Sequence, residues 1–105
     1  MDIDTTGQTH TDRRLFLVER YWPGVVLDDV ALIADRVAVV ETARSTARHL
    51  GSTLIIAEDS VFCWFVAADA ADVVALNHAA GVAFDRVVPV TWIPAVRSQR
   101  GDQAR

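Results

Sequence analysis

The chain has 105 residues, which fits one domain, and 51% of them are hydrophobic, slightly more than is usual for a small soluble domain. Its formal net charge is -4, so the sequence lacks the basic surface of a nucleic-acid-binding protein. A single cysteine excludes an intramolecular disulfide, and no apolar stretch of about 18 residues is present to cross a membrane. These properties predict a cytoplasmic domain that binds neither nucleic acid nor membrane.

The first half of the chain predicts one strand and one helix. Residues 14–22, RLFLVERYW, form a strand that the dipeptide Pro23-Gly24 ends, because neither residue continues a strand readily. Apolar residues then recur at helical spacing over residues 28–50, and Gly51 follows as an exit signal. We therefore expect a long helix between the first strand and Gly51.

The second half predicts a hairpin, a helix and a last strand. The strands at residues 52–57 and 61–68 are joined by a short polar turn, a helix covers residues 69–80, and FDRVVPVTWI forms a strand at 84–93. The resulting order, βαββαβ, is that of the ferredoxin-like α+β fold, an antiparallel sheet with both helices on one face. The strand order usual for this fold is 4-1-3-2.

The predicted domain spans residues 13–96, between flexible tails at 1–12 and 97–105. Its strand at 61–68 contains Val-Phe-Cys-Trp-Phe-Val, with no polar residue on either face. A strand that is apolar on both faces is covered on both faces, and the helices cover only one. We therefore predict a homodimer in which two sheets pack face to face as a dimeric α+β barrel.

Two charged residues interrupt the first strand, because Glu19 and Arg20 lie side by side in an otherwise apolar run. Side chains alternate along a strand, so the two charges point to opposite faces of the sheet. Burial of an unpaired charge is costly, so each charge requires a partner. Cross-strand pairs of Arg20 with Asp85, or of Glu19 with Arg86, would supply them. His49 is expected at the opposite end of the sheet.

Three stretches of the sequence, FLVERYWPGV, EDSVFCWFVA and NHAAGVAFDRV, carry a family resemblance. They resemble a small bacterial family that was first catalogued as a domain of unknown function and whose characterised type binds nickel. The resemblance covers about residues 15–92 and implies a ferredoxin-like homodimer that binds nickel, with no established catalysis. One departure is Val26, which stands where members commonly have a threonine that caps the first helix.

The resemblance makes four residues candidate metal ligands: Glu19, Cys63, His78 and Asp85. Thiolate, imidazole and carboxylate groups all suit nickel, although other divalent transition metals accept the same donors. Each residue also has a structural interpretation. Cys63 is equally typical of a buried small hydrophobic residue, His78 of a helix C-terminus, and Glu19 of an ion pair with Arg86. The sequence contains no Cys-x-x-Cys or His-x-x-x-His motif.

Two other functions are compatible with the same fold. Face-to-face dimers of this kind also resemble cofactor-free monooxygenases and isomerases, which bind an apolar substrate between sheet and helices. In that interpretation Glu19 or His78 is the general base, and Tyr21 or Arg20 holds an enolate-like oxygen. The third possibility is an interaction module whose apolar surface receives a partner protein.

Overall fold

A computed structural model describes residues 13–42 and 45–96, so both predicted tails lie outside the described residues. The elements in chain order are β1 (Arg14–Tyr21), α1 (Leu27–Val40), β2 (Arg48–Ile55), a short 3₁₀-helix (Ile56–Glu58), β3 (Ser60–Ala67), α2 (Ala70–Ala80) and β4 (Arg86–Val90). The predicted βαββαβ order of a ferredoxin-like α+β fold is confirmed. No helix in the described ranges is long and apolar enough to span a membrane.

The four strands form one antiparallel sheet in the order β2-β3-β1-β4, which confirms the predicted 4-1-3-2 order. The central strands β1 and β3 pair along their whole length, from Arg14 opposite Ala67 to Tyr21 opposite Ser60. β2 and β4 are the edge strands, and β4 is short and contains Pro89. The sheet is thus rigid in the middle, where the two charged residues of β1 lie.

The hydrophobic core fills the space between the two helices and one face of the sheet. Every second residue of β1 and β3 is buried on this face, where α1 and α2 cover them. The main core residues are Phe16, Val18, Val61, Cys63 and Phe65 from the strands and Ile33, Val37, Val73 and Leu76 from the helices. Burial of these side chains is the main favourable contribution to folding.

The opposite face of the sheet has no helix over it, and we call it the open face. It is half-buried and mostly apolar, and it is formed by Leu15, Leu17, Glu19, Phe62, Trp64, Val66 and Val88. The expectation that the third strand is apolar on both faces therefore holds for the single chain.

The predicted helix over residues 28–50 is wrong in its second half, because α1 ends at Val40 and residues 48–55 form β2. Glu41 leaves the helix with an extended backbone, and its carboxylate accepts a hydrogen bond from the backbone N–H of His49 at 2.9 Å. Gly51, expected as the helix exit, instead lies in β2, where the register shifts between His49 and Gly51 as in a β-bulge.

The helix ends agree with the local sequence. The N-cap of α1 is Val26, which offers no side-chain acceptor, although the carboxylate of Asp29 accepts from the Val26 N–H at 2.9 Å. The N-cap of α2 is Asp69, whose carboxylate accepts from the Asp72 N–H at 2.9 Å. Gly81 follows the last residue of α2 and has the left-handed φ of 69° that glycine adopts without a steric penalty. The predicted end of this helix is therefore confirmed.

Candidate functional site

Glu19 lies on the open face and makes the predicted pair with Arg86. The guanidinium donates from Nε to Oε1 at 2.9 Å and from Nη2 to Oε2 at 3.0 Å. This two-point contact raises the pKa of Arg86. The side chains are 66% exposed for Arg86 and 26% exposed for Glu19, so the pair lies at the surface of the single chain. The carboxylate that was expected to bind metal is thus held by a guanidinium.

Arg20 points the other way, into the helix-covered core, and is only 2% exposed. The predicted pair with Asp85 is wrong. The guanidinium instead donates to Asn77 Oδ1 at 2.6 Å, to the carbonyl oxygen of Ala83 at 3.0 Å and to Cys63 Sγ at 3.4 Å. Asp85 lies just before β4, where its carboxylate accepts from the backbone N–H of Tyr21 at 2.5 Å. The Asp85 carboxylate, which we expected to neutralise Arg20, therefore binds a backbone N–H instead.

Cys63 lies at the centre of a polar group inside the core, which we call the Cys63 cluster: Arg20, His49, Ser52, Cys63 and Asn77. The Ser52 hydroxyl donates to Cys63 Sγ at 3.1 Å, and His49 Nε2 lies 3.1 Å from the same hydroxyl. The His49 ring also packs against Phe65, with centroids 5.0 Å apart. His49 pairs with Phe65 toward the end of the sheet where β1 begins, as expected, but its side chain reaches the surroundings of Cys63.

The Cys63 cluster changes the chemistry of its thiol. Cys63 is fully buried, and burial by itself raises the pKa of a thiol. The nearby His49 imidazole and the positive charge of Arg20 lower it, with smaller contributions from the hydrogen bonds of Ser52 and Arg20. The net pKa of Cys63 lies below its ordinary value of 9.0. The cluster therefore favours the thiolate, which is the form of cysteine that binds metal ions.

His78 lies on the exposed side of α2, and its ring packs against Phe84 with centroids 5.4 Å apart. The preceding residue, Asn77, is fully buried, and its Nδ2 donates to the carbonyl oxygen of Val73 at 2.8 Å. One step along the helix rotates the side-chain direction by about 100°. Asn77 therefore faces the core, where it is part of the Cys63 cluster, and His78 does not.

The four candidate ligands lie in different places in the single chain. Glu19 is on the open face, Cys63 on the helix-covered face, His78 on the surface of α2, and Asp85 at the start of β4. Across residues 13–42 and 45–96, no three histidine, cysteine or acidic side chains come together in a way that could hold a metal ion. The donors that do adjoin each other are Cys63 and His49, which is the pair best suited to nickel.

Two of the depressions on the surface of residues 13–42 and 45–96 border the side chains described above. The larger, of about 640 Å³, opens beside the open face and is lined by Arg13, Arg14, Leu15, Leu50, Gly51, Ser52, Trp64, Val66 and Trp92. The smaller, of about 280 Å³, is lined by Arg20, Tyr21, Trp22, Pro23, Val82 and Ala83. The first is bordered mainly by apolar side chains, whereas the second contains the buried guanidinium in its wall. They lie next to different faces of the sheet.

Comparison with known proteins places the chain in a family. A family model described as "Nickel responsive protein SCO4226-like" matches residues 16–90, and no curated protein matches the chain. The crystal structure of SCO4226 from Streptomyces coelicolor A3(2) has the same fold, with a TM-score of 0.68 at 16% sequence identity. The similarity covers 76% of this chain and 99% of that one. Because the family model matches both helices and most of the sheet, this chain belongs to the SCO4226-like family of nickel responsive proteins.

Proposed function

We propose that this chain is a small homodimeric protein that binds nickel, with Cys63 as its central ligand. The observation that carries the proposal is a fully buried thiol that accepts from the Ser52 hydroxyl at 3.1 Å and from Arg20 Nε at 3.4 Å, contacts that lower the pKa of Cys63. Metal binding requires the deprotonated thiol, so surroundings that favour the thiolate also favour the metal complex. Membership of a nickel responsive family supports nickel as the ion.

His49 is the second donor in this proposal. It is the largest of the influences that lower the pKa of Cys63, and its Nε2 also lies 3.0 Å from the carbonyl oxygen of Gly51. A neutral imidazole beside a thiolate matches the preference of nickel for nitrogen and sulfur donors. One thiolate and one imidazole do not complete a coordination sphere, so water or side chains released from their present contacts supply the remaining donors.

Glu19, His78 and Asp85 enter the proposal as donors of this second kind. Glu19 and Asp85 each make a hydrogen bond that a metal ion would have to replace, and His78 packs on Phe84. Glu19 is the best placed of the three to reach a second copy, because it lies on the open face. Any role for these residues therefore depends on assembly or on loss of their present contacts.

The homodimer is supported by the character of the open face. Leu15, Leu17 and Trp64 lie there without a helix to cover them, and half-buried apolar side chains gain free energy when they leave water. Leu50, at 59% exposure, and Trp92, at 71%, extend the apolar surface beside it. A second copy that presents the same face would cover both sheets at once, as expected for a two-fold interface.

A nickel titration with two readouts tests this proposal. Nickel is expected to raise the melting temperature and to produce a thiolate-to-nickel absorption band, because an ion that binds only the folded chain stabilises it. Both effects are expected to weaken in acid, because protons compete with the metal ion for the thiolate and the imidazole. Magnesium, which prefers oxygen donors, is the control and is expected to do neither.

Five variants assign the ligands. We expect two variants, Cys63→Ser and His49→Gln, to abolish the absorption band and most of the stabilisation. The effects of three further variants identify which other residue completes the site: Glu19→Gln, His78→Ala and Asp85→Asn. The absorption band isolates the Cys63 site from histidine binding elsewhere, including His10, which lies outside the described residues. Nickel binding by Cys63→Ser that equals that of the unaltered protein would refute the proposal.

The larger depression favours one alternative, a cofactor-free monooxygenase-like or isomerase-like protein that binds an apolar small molecule. Its volume of about 640 Å³ and its Trp64, Val66 and Trp92 walls suit such a ligand. The depression adjoins the open face, whereas the sequence led us to expect a substrate between sheet and helices. A screen of apolar small molecules by thermal shift, without metal, distinguishes this function from nickel binding.

A further inference from the structure

The guanidinium of Arg20 has more hydrogen-bond donors than acceptors around it. An arginine side chain carries five N–H groups, one on Nε and two on each terminal nitrogen. Within residues 13–42 and 45–96, three of these groups have acceptors: Asn77 Oδ1, the carbonyl oxygen of Ala83 and Cys63 Sγ. One N–H on each terminal nitrogen is therefore left without a protein acceptor among the described residues, although the side chain is 98% buried.

The charge of Arg20 is also poorly compensated. No carboxylate in the described part of the chain lies within ion-pair distance of this guanidinium, and the carboxylate expected there, that of Asp85, accepts from the Tyr21 backbone instead. A buried cation without an anionic partner is costly. The sulfur of Cys63 compensates this charge only in part, even as a thiolate, because it contacts Nε alone at 3.4 Å and leaves both terminal nitrogens without an anion.

The smaller depression lies where an anion could reach this charge. Arg20 is part of its wall, together with Ala83, whose carbonyl oxygen is the acceptor for Nη1. The remaining walls come from Tyr21, Trp22, Pro23 and Val82, which present aromatic and aliphatic surface. Its volume of about 280 Å³ is near the lower end of small-molecule pockets and suits a compound with one ring or a short chain.

We infer that this depression binds a small organic acid, whose carboxylate accepts hydrogen bonds from the two free N–H groups of Arg20 and whose apolar body packs against Trp22 and Val82. A carboxylate satisfies both deficits at once, since it supplies acceptor oxygens and a negative charge. The site is separate from the open face, because Arg20 and Glu19 point to opposite sides of β1. It requires no metal ion and stands independently of nickel binding.

The experiment uses benzoate as the probe, with the full chain and no added metal. Titration calorimetry is expected to show saturable binding of one benzoate per chain. Benzamide, which has the same shape but no charge, is expected to bind about tenfold more weakly or worse, because it loses charge-assisted hydrogen bonds. Amide chemical shifts in the NMR spectrum are expected to change most at Trp22, Val82 and Ala83. Shifts confined to the open face, or equal affinity for both compounds, overturn the inference.

Three variants locate the site. Arg20→Gln removes the charge and is expected to weaken benzoate binding about tenfold or more. Ala83→Phe keeps the guanidinium but fills the depression from its exposed edge, so it gives the same test if Arg20→Gln does not fold. Arg86→Gln is the matched control, because it removes an arginine from the open face and is expected to leave the affinity unchanged. Full affinity in Ala83→Phe, or an equal loss in Arg86→Gln, overturns the inference.

Discussion

Replacement of Arg20 by methionine tests how a buried guanidinium is held without a carboxylate. Methionine keeps much of the apolar volume but leaves Asn77 Oδ1, which accepts from Arg20 at 2.6 Å inside the core, without a donor. An orphaned buried acceptor costs about 1 to 3 kcal/mol, and removal of a desolvated charge offsets part of that cost. We expect Arg20→Met to lower the free energy of unfolding by about 1 to 3 kcal/mol. Each kcal/mol lost lowers the melting temperature of a domain of this size by roughly 4 to 8 °C.

The double variant Arg20→Met with Asn77→Leu removes donor and acceptor together. It is expected to regain at least about 1 kcal/mol relative to Arg20→Met alone, because no buried polar atom is left unpaired at this contact. Urea unfolding followed by circular dichroism measures the stability of the unaltered protein, of Arg20→Met, of Asn77→Leu and of the double variant. All four are measured at one chain concentration, because the stability of a dimer rises with concentration. Effects that add to within about 0.5 kcal/mol would refute the reasoning, since they would mean that the two side chains do not depend on each other.

Four further substitutions follow from the structure. Val26→Thr is expected to raise the free energy of unfolding by about 1 kcal/mol, because it gives α1 the side-chain acceptor that it lacks; no gain in urea unfolding would contradict this. Gly81→Ala is expected to lower the free energy of unfolding by about 1 to 2 kcal/mol, because alanine is strained at a φ of 69°. An unchanged melting temperature would argue against a left-handed helix end. The folded thiol of Cys63 deprotonates at a lower pH than the unfolded one. The stability that the thiolate adds, relative to Cys63→Ser, is therefore expected to grow as pH rises from the folded pKa toward 9.0 and to be lost as pH falls through the folded pKa. A stability difference that does not change with pH would contradict the thiolate. At chain concentrations low enough to keep the protein monomeric, Glu19→Leu is expected to have a small effect that shrinks in high salt, because its pair with Arg86 is exposed in the single chain. A loss as large as that of Arg20→Met under these conditions would contradict this.

The sequence is most informative where a single local pattern decides the structure. The alternation in RLFLVERY placed Glu19 and Arg20 on opposite faces, and the structure agrees. Gly81 marked the end of α2, because few other residues adopt a left-handed backbone without strain. The Glu19 and Arg86 pair also followed from antiparallel pairing of the first and last strands. The first two features are local, and the third requires only the strand order.

Features that depend on competing long-range contacts were not predictable in the same way. Helical spacing of apolar residues continues past Val40 through Ala47, which is buried in the core without being helical. The contact of Glu41 with the His49 backbone, together with pairing of β2 to β3, decides where the helix stops. This error concealed the Cys63 cluster, because His49 was assigned to a helix. A strand extended back to residue 48 would have carried the pairing of β2 with β3 as far as His49, which lies opposite Phe65.

The two edges of the sheet limit how copies of this chain can associate. Pro89 in β4 has no N–H to offer a further strand, and the bulge between His49 and Gly51 interrupts the regular spacing of donors along β2. Both are features by which natural sheets avoid edge-to-edge growth. Copies that meet through the open face have only helices on their outer sides, so such an assembly is closed after the second copy. The same sequence that leaves one sheet surface bare thus also prevents the sheet from extending into a fibre.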